Sequence, residues 1–556
     1  MSFSGENRAA TLSEMEKQQF DVLVIGGGIT GSGIALDGAT RGLKMGLVEM
    51  QDFAGGTSSR STKLVHGGLR YLKQFEVKMV AEVGKERAIV YENAPHVTTP
   101  EWMMLPFHKG GTFGSFTTSI GLRMYDFLAG VKRSERRQMF SRKETLRREP
   151  LVKAENLRGG GYYVEYKTDD ARLTIEVAKK AVEKGATLVN YAKVESFLYE
   201  DNKVVGAVVV DQTTKKAYQI YAKKIINAAG PWVDTLREED RSKEGKTLVH
   251  TKGIHLVIDA ERFPLQQAIY FDTPDGRMVF AIPRDGKTYV GTTDTVYDGD
   301  LVHPRMTKAD REYVIKSINY MFPAVNITEK DVESSWTGLR PLINEQGKGA
   351  SEISRKDEIW ESKSGLITIA GGKLTGYRKM AEMVLDSVTK KIEEEYNVSF
   401  LPCQTKHLSL SGGEFGGSQK FESFVKQKVQ EGTKIGLDRK QAEKLAKRYG
   451  SNIDKVYEYV KNGEQTNVPR VVYAQVMYGL EHEMVVKPVD FFIRRTGALF
   501  FNISWVHEWK VEVINLMASK LGWTREQKEL YRQELEKHLH DAVVPVDEED
   551  DTALAQ

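Results

Sequence analysis

The first fifty residues contain two short apolar runs, one of which ends at a glycine, and between them a stretch with helical spacing. Phe20–Ile25 has the pattern of a buried parallel strand and stops at Gly26. Ile29–Arg41 follows with small residues at helical spacing, and Lys44–Val48 has the pattern of a second strand, closed by Glu49. The order predicts a strand–helix–strand unit at the start of a parallel sheet.

The middle third of the chain is predicted to be rich in strands. Helical spacing covers Phe75–Glu92, which Pro95 stops, and Asp170–Lys184. The remaining periodic segments predict an antiparallel sheet beside the first unit. Its predicted strands are Thr187–Val194, Val204–Asp211, Ile225–Ala229, Leu248–Ile258, Met278–Pro283 and Tyr289–Thr293.

The last part of the chain is predicted to be helical. Leu366–Ala370 is a further buried strand, and Gly371 and Gly372 lead into a helix from Lys373. The glycine-rich loop Ser409–Gly417 marks a shift in composition, and helical spacing continues beyond it. A capping box at Thr524 opens one of these helices. The acidic run Asp547–Asp551 predicts a solvated, disordered tail.

The amino-acid composition limits the class of protein and the cellular compartment that the sequence fits. The chain has 556 residues, 40% of them hydrophobic and 28% charged, as in globular proteins. A net charge of +3 is too small for a nucleic-acid binder recognised by bulk charge. The single cysteine, Cys403, excludes an internal disulfide framework or a multi-cysteine metal site, and it fits a reducing compartment. We see no run of about 18 apolar residues and no secretory signal. We therefore expect a cytoplasmic protein, with peripheral membrane contact open.

The glycine turn after the first strand has the spacing of a dinucleotide fingerprint. Gly26, Gly28 and Gly31 give G-x-G-x-x-G between a strand and a helix, and Glu49 follows 18 residues after Gly31. Gly26 permits the tight turn, and Gly28 lets the backbone approach a pyrophosphate on the helix N-terminus. Glu49 can accept hydrogen bonds from a ribose hydroxyl. The alternative is a close-packed turn without a ligand.

Further glycine-rich segments favour FAD over NAD. A polar loop over Gly55–Arg60 and Lys63–Tyr71 stands where an NAD domain would continue into another crossover, and it can wrap a longer cofactor. Two more strand-end glycine turns occur at Ile226–Trp232 and Ile369–Thr375. A helix N-terminus at the second of these could stabilise negative charge on a reduced flavin.

These motifs resemble the FAD-dependent glycerol-3-phosphate dehydrogenases, the respiratory enzymes of glycerol use, over nearly the whole chain from Phe20 to His540. The most specific segments are Lys63–Tyr71 and Gly371–Arg378, since many flavoproteins share the fingerprint. The other matching segments are Thr57–Thr62, Trp336–Pro341 and Ile353–Asp357.

The resemblance implies an activity and a fold. It implies oxidation of sn-glycerol 3-phosphate to dihydroxyacetone phosphate, with hydride transfer from C2 to flavin N5 and electrons passed to a membrane quinone. It implies an α/β fold with a glutathione-reductase-like FAD-binding Rossmann domain, an antiparallel substrate-domain sheet and an all-α C-terminal domain. The predicted divisions are a polar extension (1–19), interleaved FAD and substrate halves (20–400), a linker (401–417), a helical domain (418–540) and an acidic tail (541–556).

Substrate phosphate requires arginine or lysine at fixed geometry. The resemblance points to Arg70, Arg340, Arg355 and Lys373, each of which would otherwise be a surface charge. Arg340 is predicted to lie beside the flavin as well as the substrate, in a catalytic position. Tyr71 could add a hydroxyl to the phosphate, with a core tyrosine as the equal alternative.

The alcohol proton requires a base, and histidine suits this role. The resemblance assigns it to His255, whose alternative is a satisfied strand histidine. His66 is predicted to lie along the flavin, and Thr375 to bind its ribityl or pyrimidine part, with an ordinary helix cap as the alternative. The full set of predicted cofactor-binding residues is Gly26, Gly28, Gly31, Glu49, Thr57, Ser58, Ser59, Lys63, Leu64, His66, Gly67, Gly68, Val194, Ala229, Gly230, Gly338, Gly371, Gly372, Leu374 and Thr375.

One segment has two interpretations. Met103–Gly130 is aromatic and glycine-rich, and the following Val131–Glu149 carries eight basic and three acidic residues. It is either a packed loop under the substrate domain or a surface that meets anionic lipid at the inner face of the cytoplasmic membrane.

Other functions stay open at this point. A glycerol-3-phosphate oxidase would use oxygen, but the resemblance gives such oxidases an extra insertion that we do not see. An amino-acid or amine oxidase of the glycine-oxidase-like group shares the FAD domain, and the basic set argues against it. A flavin-binding protein without turnover is the third possibility. We predict no metal, and the oligomeric state is open.

Overall fold

The computed structural model describes residues 3–66, 77–111, 136–345, 357–371, 373–463 and 466–548. Two large sheets and a set of C-terminal helices make up this part of the chain. The strands are, in chain order, β1 Gln19–Ile25, β2 Met45–Val48, β3 Leu64–Val65, β4 Thr98–His108, β5 Gln138–Ser141, β6 Leu157–Thr168, β7 Thr187–Val189, β8 Ala192–Glu200, β9 Lys203–Asp211, β10 Ala217–Asn227, β11 Lys246–Asp259, β12 Ala268–Asp272, β13 Met278–Arg284, β14 Lys287–Gly291, β15 Thr295–Val296, β16 Val332–Glu345, β17 Glu358–Glu361 and β18 Ile367–Ala370.

Helices pack against both sheets and form the C-terminal part. Those before residue 400 are Arg8–Glu16, Ile29–Arg41, Val77–Asn93, Arg142–Arg148, Asp170–Glu183, Val233–Glu239, Lys308–Met321 and Tyr377–Tyr396. Those after it are Phe421–Lys434, Arg439–Tyr449, Ile453–Asn462, Arg470–His482, Ala498–Phe501, Ile503–Leu521 and Arg525–Asp541, with a π-helix at Asp490–Arg495.

The first sheet places the three glycine turns side by side. Its parallel strands run in the order β18-β10-β1-β2-β7, with β17 and the β8–β9 hairpin added antiparallel. Ile25 pairs with Asn227 and with Val48, and Asn227 pairs with Thr368, so the carboxyl ends of β1, β10 and β18 are aligned. Parallel α/β sheets bind their ligands at this edge.

The second sheet brings two long strands together. It is antiparallel except for the pairing of β12 with β4, and β11 pairs with β16 along most of its length. His255 lies opposite Trp336, Gly253 opposite Gly338 and Thr251 opposite Arg340. Because side chains alternate along a strand, Trp336, Gly338 and Arg340 share one face. The predicted fold class, with a Rossmann-type parallel sheet, an antiparallel second sheet and a helical C-terminal part, is confirmed.

Several sequence predictions differ from the structure in detail. The predicted strand Thr187–Val194 is broken at Asn190 and Tyr191, because Tyr191 adopts a left-handed backbone with φ 51° and donates its N–H to the Gln51 carbonyl. The helix predicted from Lys373 begins at Tyr377, after a 3₁₀ turn over Leu374–Gly376. The capping box at Thr524 is confirmed.

Both ends of the chain are more ordered than the sequence suggests. The polar N-terminal segment contains the helix Arg8–Glu16, and Arg8 forms a buried ion pair with Asp211 at 2.6 Å. The prediction of a solvated acidic tail is wrong for Asp547 and Glu548. Asp547 accepts a hydrogen bond from the Lys308 backbone at 2.8 Å, and Glu548 pairs with Arg311, because a helix N-terminus and a buried guanidinium attract carboxylates. The rest of the acidic run, residues 549–551, lies outside the described residues.

The two interpretations of Met103–Gly130 can be compared with the structure only in the first part of the segment. Met103, Met104, Leu105 and Phe107 belong to β4 and are buried in the core, so this part is packed protein. Residues 112–135 lie outside the described residues. Within the described ranges, no helix is long and apolar enough to cross a membrane.

Candidate active site

The first cavity of the site lies at the carboxyl edge of the parallel strands and has a volume of about 220 Å³. All three glycine turns reach it. Among the predicted cofactor residues, its lining includes Gly26, Gly28, Glu49, Thr57, Ser58, Val194, Ala229, Gly230, Gly371 and Leu374. It also includes residues that the sequence did not single out, Thr30, Met50, Gly56 and Trp232.

The fingerprint glycines have distinct roles. Gly26 has φ +115°, and a β-carbon there would lie 2.5 Å from the Ala228 carbonyl oxygen. A β-carbon on Gly31 would lie 1.8 Å from the Gly26 carbonyl oxygen, so Gly31 serves helix–strand packing and does not line the cavity. A β-carbon on Gly28 would approach only the Ser58 hydroxyl, at 3.1 Å. The space over Gly28 is therefore open to a ligand.

Glu49 anchors the turn from inside the cavity. Its Oε2 accepts the Gly27 N–H at 2.6 Å, and its Oε1 accepts the Gln51 N–H at 2.7 Å. Burial raises the pKa of this carboxyl above its usual value, while these two bonds oppose the shift. Each oxygen keeps a second lone pair, so Glu49 can still accept a ribose hydroxyl.

The second cavity, of about 180 Å³, lies against the antiparallel sheet. It shares Thr57, Ser61 and Leu374 with the first cavity, so the two adjoin. Its lining includes the predicted residues His255, Arg340, Lys373, Leu64, His66, Gly338 and Thr375. It adds Arg60 and Thr62, which the sequence did not single out.

Positive charge dominates this second cavity. Arg60, Arg340 and Lys373 line it, and the lining identified in the described residues contains no carboxylate. The Arg340 guanidinium donates to the Thr293 carbonyl at 3.1 Å and the Thr292 hydroxyl at 3.0 Å, and Asp294 lies 3.5 Å away. These bonds fix the guanidinium at the cavity wall. An anionic ligand suits such a lining.

His255 lies between the sheet and this cavity. Its ring stacks on the Trp336 indole with centroids 4.7 Å apart, and Nε2 lies 3.1 Å from the Thr62 hydroxyl. Burial, together with the nearby charges of Arg340 and Lys63, holds the pKa of this imidazole well below 6.5. Its Nδ1 is buried without a hydrogen-bond partner in the described structure. Such groups are rare, and a catalytic role is one recognised cause.

Other predicted residues take supporting positions. The Lys63 ammonium is buried, donating to Asp170 at 2.6 Å and to the Ser59 carbonyl at 3.0 Å, and it does not line either cavity. Ser59 is buried beside it and likewise lies outside both linings. Thr375 donates to the His66 carbonyl at 3.1 Å, and burial lowers the pKa of His66. Gly67, Gly68, Arg70, Tyr71, Arg355 and Gly372 lie outside the described residues.

The structure explains what the sequence missed. Trp336 was visible only as part of a motif, and its contact with His255 comes from the pairing of β11 with β16. Thr62 carries no signal of its own beyond the polar loop. Within the described ranges, no cluster of His, Cys, Asp or Glu could hold a metal ion.

Comparisons with known proteins agree with this geometry. The family model for FAD-dependent oxidoreductases matches residues 21–378. The model for the C-terminal domain of alpha-glycerophosphate oxidase matches residues 403–528.

Named relatives cover nearly the whole chain. Aerobic glycerol-3-phosphate dehydrogenase of Bacillus subtilis (strain 168) is 65% identical over 550 residues, covering 98% of this chain and 99% of the relative. The protein of the same name from Staphylococcus aureus (strain USA300) is 57% identical over 546 residues, covering 98% of each.

Solved structures show the same relationship. The crystal structure of glycerol-3-phosphate dehydrogenase from Bacillus halodurans complexed with FAD has a TM-score of 0.86 and 53% identity, covering 98% of this chain and 99% of that one. L-alpha-glycerophosphate oxidase from Mycoplasma pneumoniae, at 18% identity, a TM-score of 0.55 and coverage of 70% of this chain and 97% of that one, shares the fold. The chain belongs to the FAD-dependent oxidoreductases and, within them, to the aerobic glycerol-3-phosphate dehydrogenase family.

Proposed function

We propose that the chain oxidises sn-glycerol 3-phosphate to dihydroxyacetone phosphate with bound FAD and passes the electrons to a quinone. The observation that carries this proposal is the pair of adjoining cavities. One has the glycine turns of a dinucleotide site, and the other combines a buried histidine with three cationic side chains. Relatives that share this chain's full length bear the name of that activity.

The first cavity fits the cofactor on the chain's own geometry. Space is open over Gly28, and a β-carbon on Gly230, at φ +57°, would meet nothing within 4 Å. At these two glycines the backbone must approach a large ligand. Gly26, Gly28 and the start of the helix Ile29–Arg41 would hold the pyrophosphate, and Glu49 the ribose. Bound FAD supplies the acceptor for a hydride and thus the redox chemistry that side chains lack.

The second cavity fits the substrate. A phosphate dianion needs several donors with positive charge, and Arg340 and Lys373 stand on the lining. We propose that Lys373, with Arg70, Tyr71 and Arg355, binds the phosphate. Arg340, fixed by Thr292 and Thr293, faces the same space and would stabilise negative charge that develops on the C2 oxygen.

His255 is the proposed general base. Oxidation of a secondary alcohol removes a hydride from carbon and a proton from oxygen, and His255 would take the proton. A depressed pKa keeps the imidazole neutral, and therefore able to accept that proton, at and below neutral pH. Stacking on Trp336 and the contact with Thr62 hold the ring in one orientation.

The basic lining also distinguishes this proposal from an amino-acid oxidase. An amino-acid substrate carries one carboxylate and an amine. Among the described residues, the lining holds Arg60, Arg340 and Lys373 but no carboxylate, and such a lining would repel the ammonium form. We therefore rank an amino-acid or amine oxidase second.

Steady-state assays with an artificial dye acceptor test the substrate class. Glycerol 3-phosphate should give turnover, whereas glycine, D-alanine and L-proline should give none. Turnover of an amino acid in the absence of turnover of glycerol 3-phosphate would replace the proposed function with the oxidase alternative.

We also propose that the acceptor is reached at a membrane surface by peripheral contact. Arg136 and Arg147 are exposed in the described part of the basic segment Val131–Glu149, which suits anionic lipid. Arg147 and Arg148 both pair with Glu144 at 2.7 Å, and Arg148 differs in that its guanidinium also lies over the Phe140 ring at 4.3 Å.

A further inference from the structure

The loop from Glu49 to Ser58 lines the first cavity at both ends. Glu49 and Met50 contribute at one end, and Gly56, Thr57 and Ser58 at the other. Its middle turns away from the cavity, and there Asp52 is fully buried. Asp52 is therefore not placed to touch a bound ligand, and its role has to be sought on the other side of the loop.

On that side, two arginines from the C-terminal part close on Asp52. Arg495 forms a bidentate pair, with Nη1 at 2.7 Å from Oδ2 and Nη2 at 2.9 Å from Oδ1. Arg494 donates from Nε to Oδ2 at 2.5 Å. Asn190, at the break between β7 and β8, donates to Oδ1 at 3.0 Å. We call Asp52, Arg494 and Arg495 the arginine clamp.

The clamp is held rigidly from behind. Arg494 and Arg495 end the π-helix Asp490–Arg495, and Arg494 also donates to Asp490 at 2.6 Å. Asp490 in turn accepts the Tyr191 hydroxyl at 2.6 Å and the backbone N–H of Val486 at 2.9 Å. Single π-helical turns are rare and occur frequently at functional sites.

The charges of this buried group compensate each other. Asp52 and Asp490 pair with Arg494 and Arg495, and Glu483 lies 3.8 Å from Arg495 and also pairs with Arg172. Although burial opposes ionisation, the arginines lower the pKa of Asp52 to about 2. A buried ion pair of this kind adds little net stability over apolar packing, but removing one partner leaves an uncompensated charge. Such pairs are best suited to fixing one geometry, here that of the Glu49–Ser58 loop.

The position of Asp52 is linked to the cavity through short contacts. The Ala54 N–H donates to the Gly27 carbonyl at 3.0 Å, and a β-carbon on Gly27 would meet the Phe53 ring at 2.7 Å. Gln51, on the other side of Asp52, donates its N–H to Glu49. A shift of Asp52 would therefore move both the fingerprint turn and the proposed ribose carboxylate.

We propose that Arg494 and Arg495 are positioning residues for the cofactor, which hold the Glu49–Ser58 loop in its binding shape by clamping Asp52. This inference rests on the FAD site proposed above. It gives the C-terminal segment a part in cofactor binding without any contact to the cofactor. Docking of that segment and FAD affinity are then coupled, and the coupling is reciprocal.

The test measures release of FAD from diluted holoenzyme by flavin fluorescence, followed by back-titration with FAD. Arg495→Met, Arg495→Lys and Asp52→Asn should each weaken FAD binding by about tenfold or more, which is about 1.4 kcal/mol. Arg495→Lys keeps the charge but lacks the fork, so it carries the test if the methionine variant does not fold. Tyr478→Phe is the matched control, because the Tyr478 hydroxyl bonds buried Lys179 at 2.7 Å from the same C-terminal part. It should change FAD affinity less than about twofold.

A second measurement separates positioning from general destabilisation. Thermal unfolding is followed with and without a fixed excess of FAD, because a ligand raises the unfolding temperature according to its affinity. Clamp variants should show a smaller FAD-induced increase in unfolding temperature, whereas the control should show the same increase as the wild type. If the wild type binds FAD, and the clamp variants show the same FAD affinity and the same FAD-induced increase in unfolding temperature as the wild type, the clamp proposal alone is overturned. Failure of the wild-type protein to bind FAD would overturn the proposed function.

Discussion

The imidazole of His255 lies flat on the indole of Trp336, with the planes 10° apart and the ring centroids separated by 4.7 Å. The two residues are cross-strand neighbours on β11 and β16, and Gly253 and Gly338 form the next pair on the same face. A β-carbon on Gly338 would lie 2.2 Å from the Arg60 carbonyl oxygen. The sheet thus sets both the orientation of the proposed base and the close approach of the loop that follows Thr57.

Replacing His255 should slow the chemical step directly. His255→Ala should lower the rate of flavin reduction by about 10²–10⁴-fold, since a positioned general base contributes a factor of this size. Stopped-flow absorbance under anaerobic conditions measures this rate, and product affinity should change little. A variant that reduces its flavin at the wild-type rate would remove His255 from the chemistry.

The pH dependence should report the environment of His255. The folded protein depresses the pKa of this group, so the neutral imidazole persists below pH 6.5, and the acid limb of the reduction rate should lie below that value. Arg340 contributes to the depression. In Arg340→Met the acid limb should therefore move to higher pH at saturating substrate.

Arg439→Met serves as the control for this shift, because Arg439 is exposed on a C-terminal helix. An acid limb at the same pH in wild type and in Arg340→Met would show that the guanidinium does not influence the titrating group.

The fingerprint glycines should separate cofactor loss from loss of fold. Gly28→Val should fold but retain less than about a tenth of the FAD, because its side chain fills the space for the pyrophosphate. Gly31→Val should lower the unfolding temperature of the FAD-free protein, because its β-carbon would lie 1.8 Å from the Gly26 carbonyl oxygen. Absorbance of bound flavin per chain and thermal unfolding are the measurements. Normal FAD content and activity in Gly28→Val would displace the cofactor from this turn.

The phosphate residues should discriminate between two substrates. Arg355→Ala or Lys373→Met removes one or more charge-assisted bonds of about 1.5–3 kcal/mol each, which is about 10–150-fold in kcat/KM. The loss should be large for glycerol 3-phosphate and small for glycerol, which has no phosphate. Arg532→Ala, at an exposed pair with Glu529, should affect neither substrate. Equal proportional losses on the two substrates would mean that the residue supports the shape of the site.

Membrane contact should be peripheral and sensitive to salt. Replacing Arg136, Arg137 and Arg147 with Glu should reduce partition onto anionic vesicles, while dye-linked activity survives. Arg148 is left in place, since its guanidinium packs over the Phe140 ring. If the two proteins partition equally, this segment is not the lipid-facing surface.

Much of the architecture follows from local patterns. The glycine fingerprint predicted the first strand, turn and helix. The strands Thr187–Val194, Val204–Asp211 and Ile225–Ala229 were predicted in the antiparallel sheet, but they belong to the first sheet, because pairing partners far along the chain decide the sheet to which a strand belongs. The break at Tyr191 was missed, because it depends on the Gln51 carbonyl, which is remote in sequence. The docked acidic residues Asp547 and Glu548 were missed for the same reason, since their partners lie more than 200 residues away.

The candidate site, like the fold, was predicted only in part from the sequence. The individual residues His255, Arg340 and Lys373 were named from motifs, and the structure brings all three to one cavity. Lys63 was predicted at the cofactor, but its buried pairing with Asp170 depends on a helix far along the chain. From the sequence, Arg60 would be expected to be a surface charge, and only the fold places it on the cavity lining.

Anaerobic mixing of the purified holoenzyme with glycerol 3-phosphate is the most direct test of the central claim. The oxidised flavin spectrum should bleach within the dead time of manual mixing and return when an acceptor dye is added, because the substrate would give up a hydride to bound FAD. D-alanine at the same concentration should leave the spectrum unchanged, and glycerol should bleach it far more slowly than glycerol 3-phosphate. A flavin that stays oxidised with glycerol 3-phosphate, or bleaches with D-alanine instead, would contradict the account.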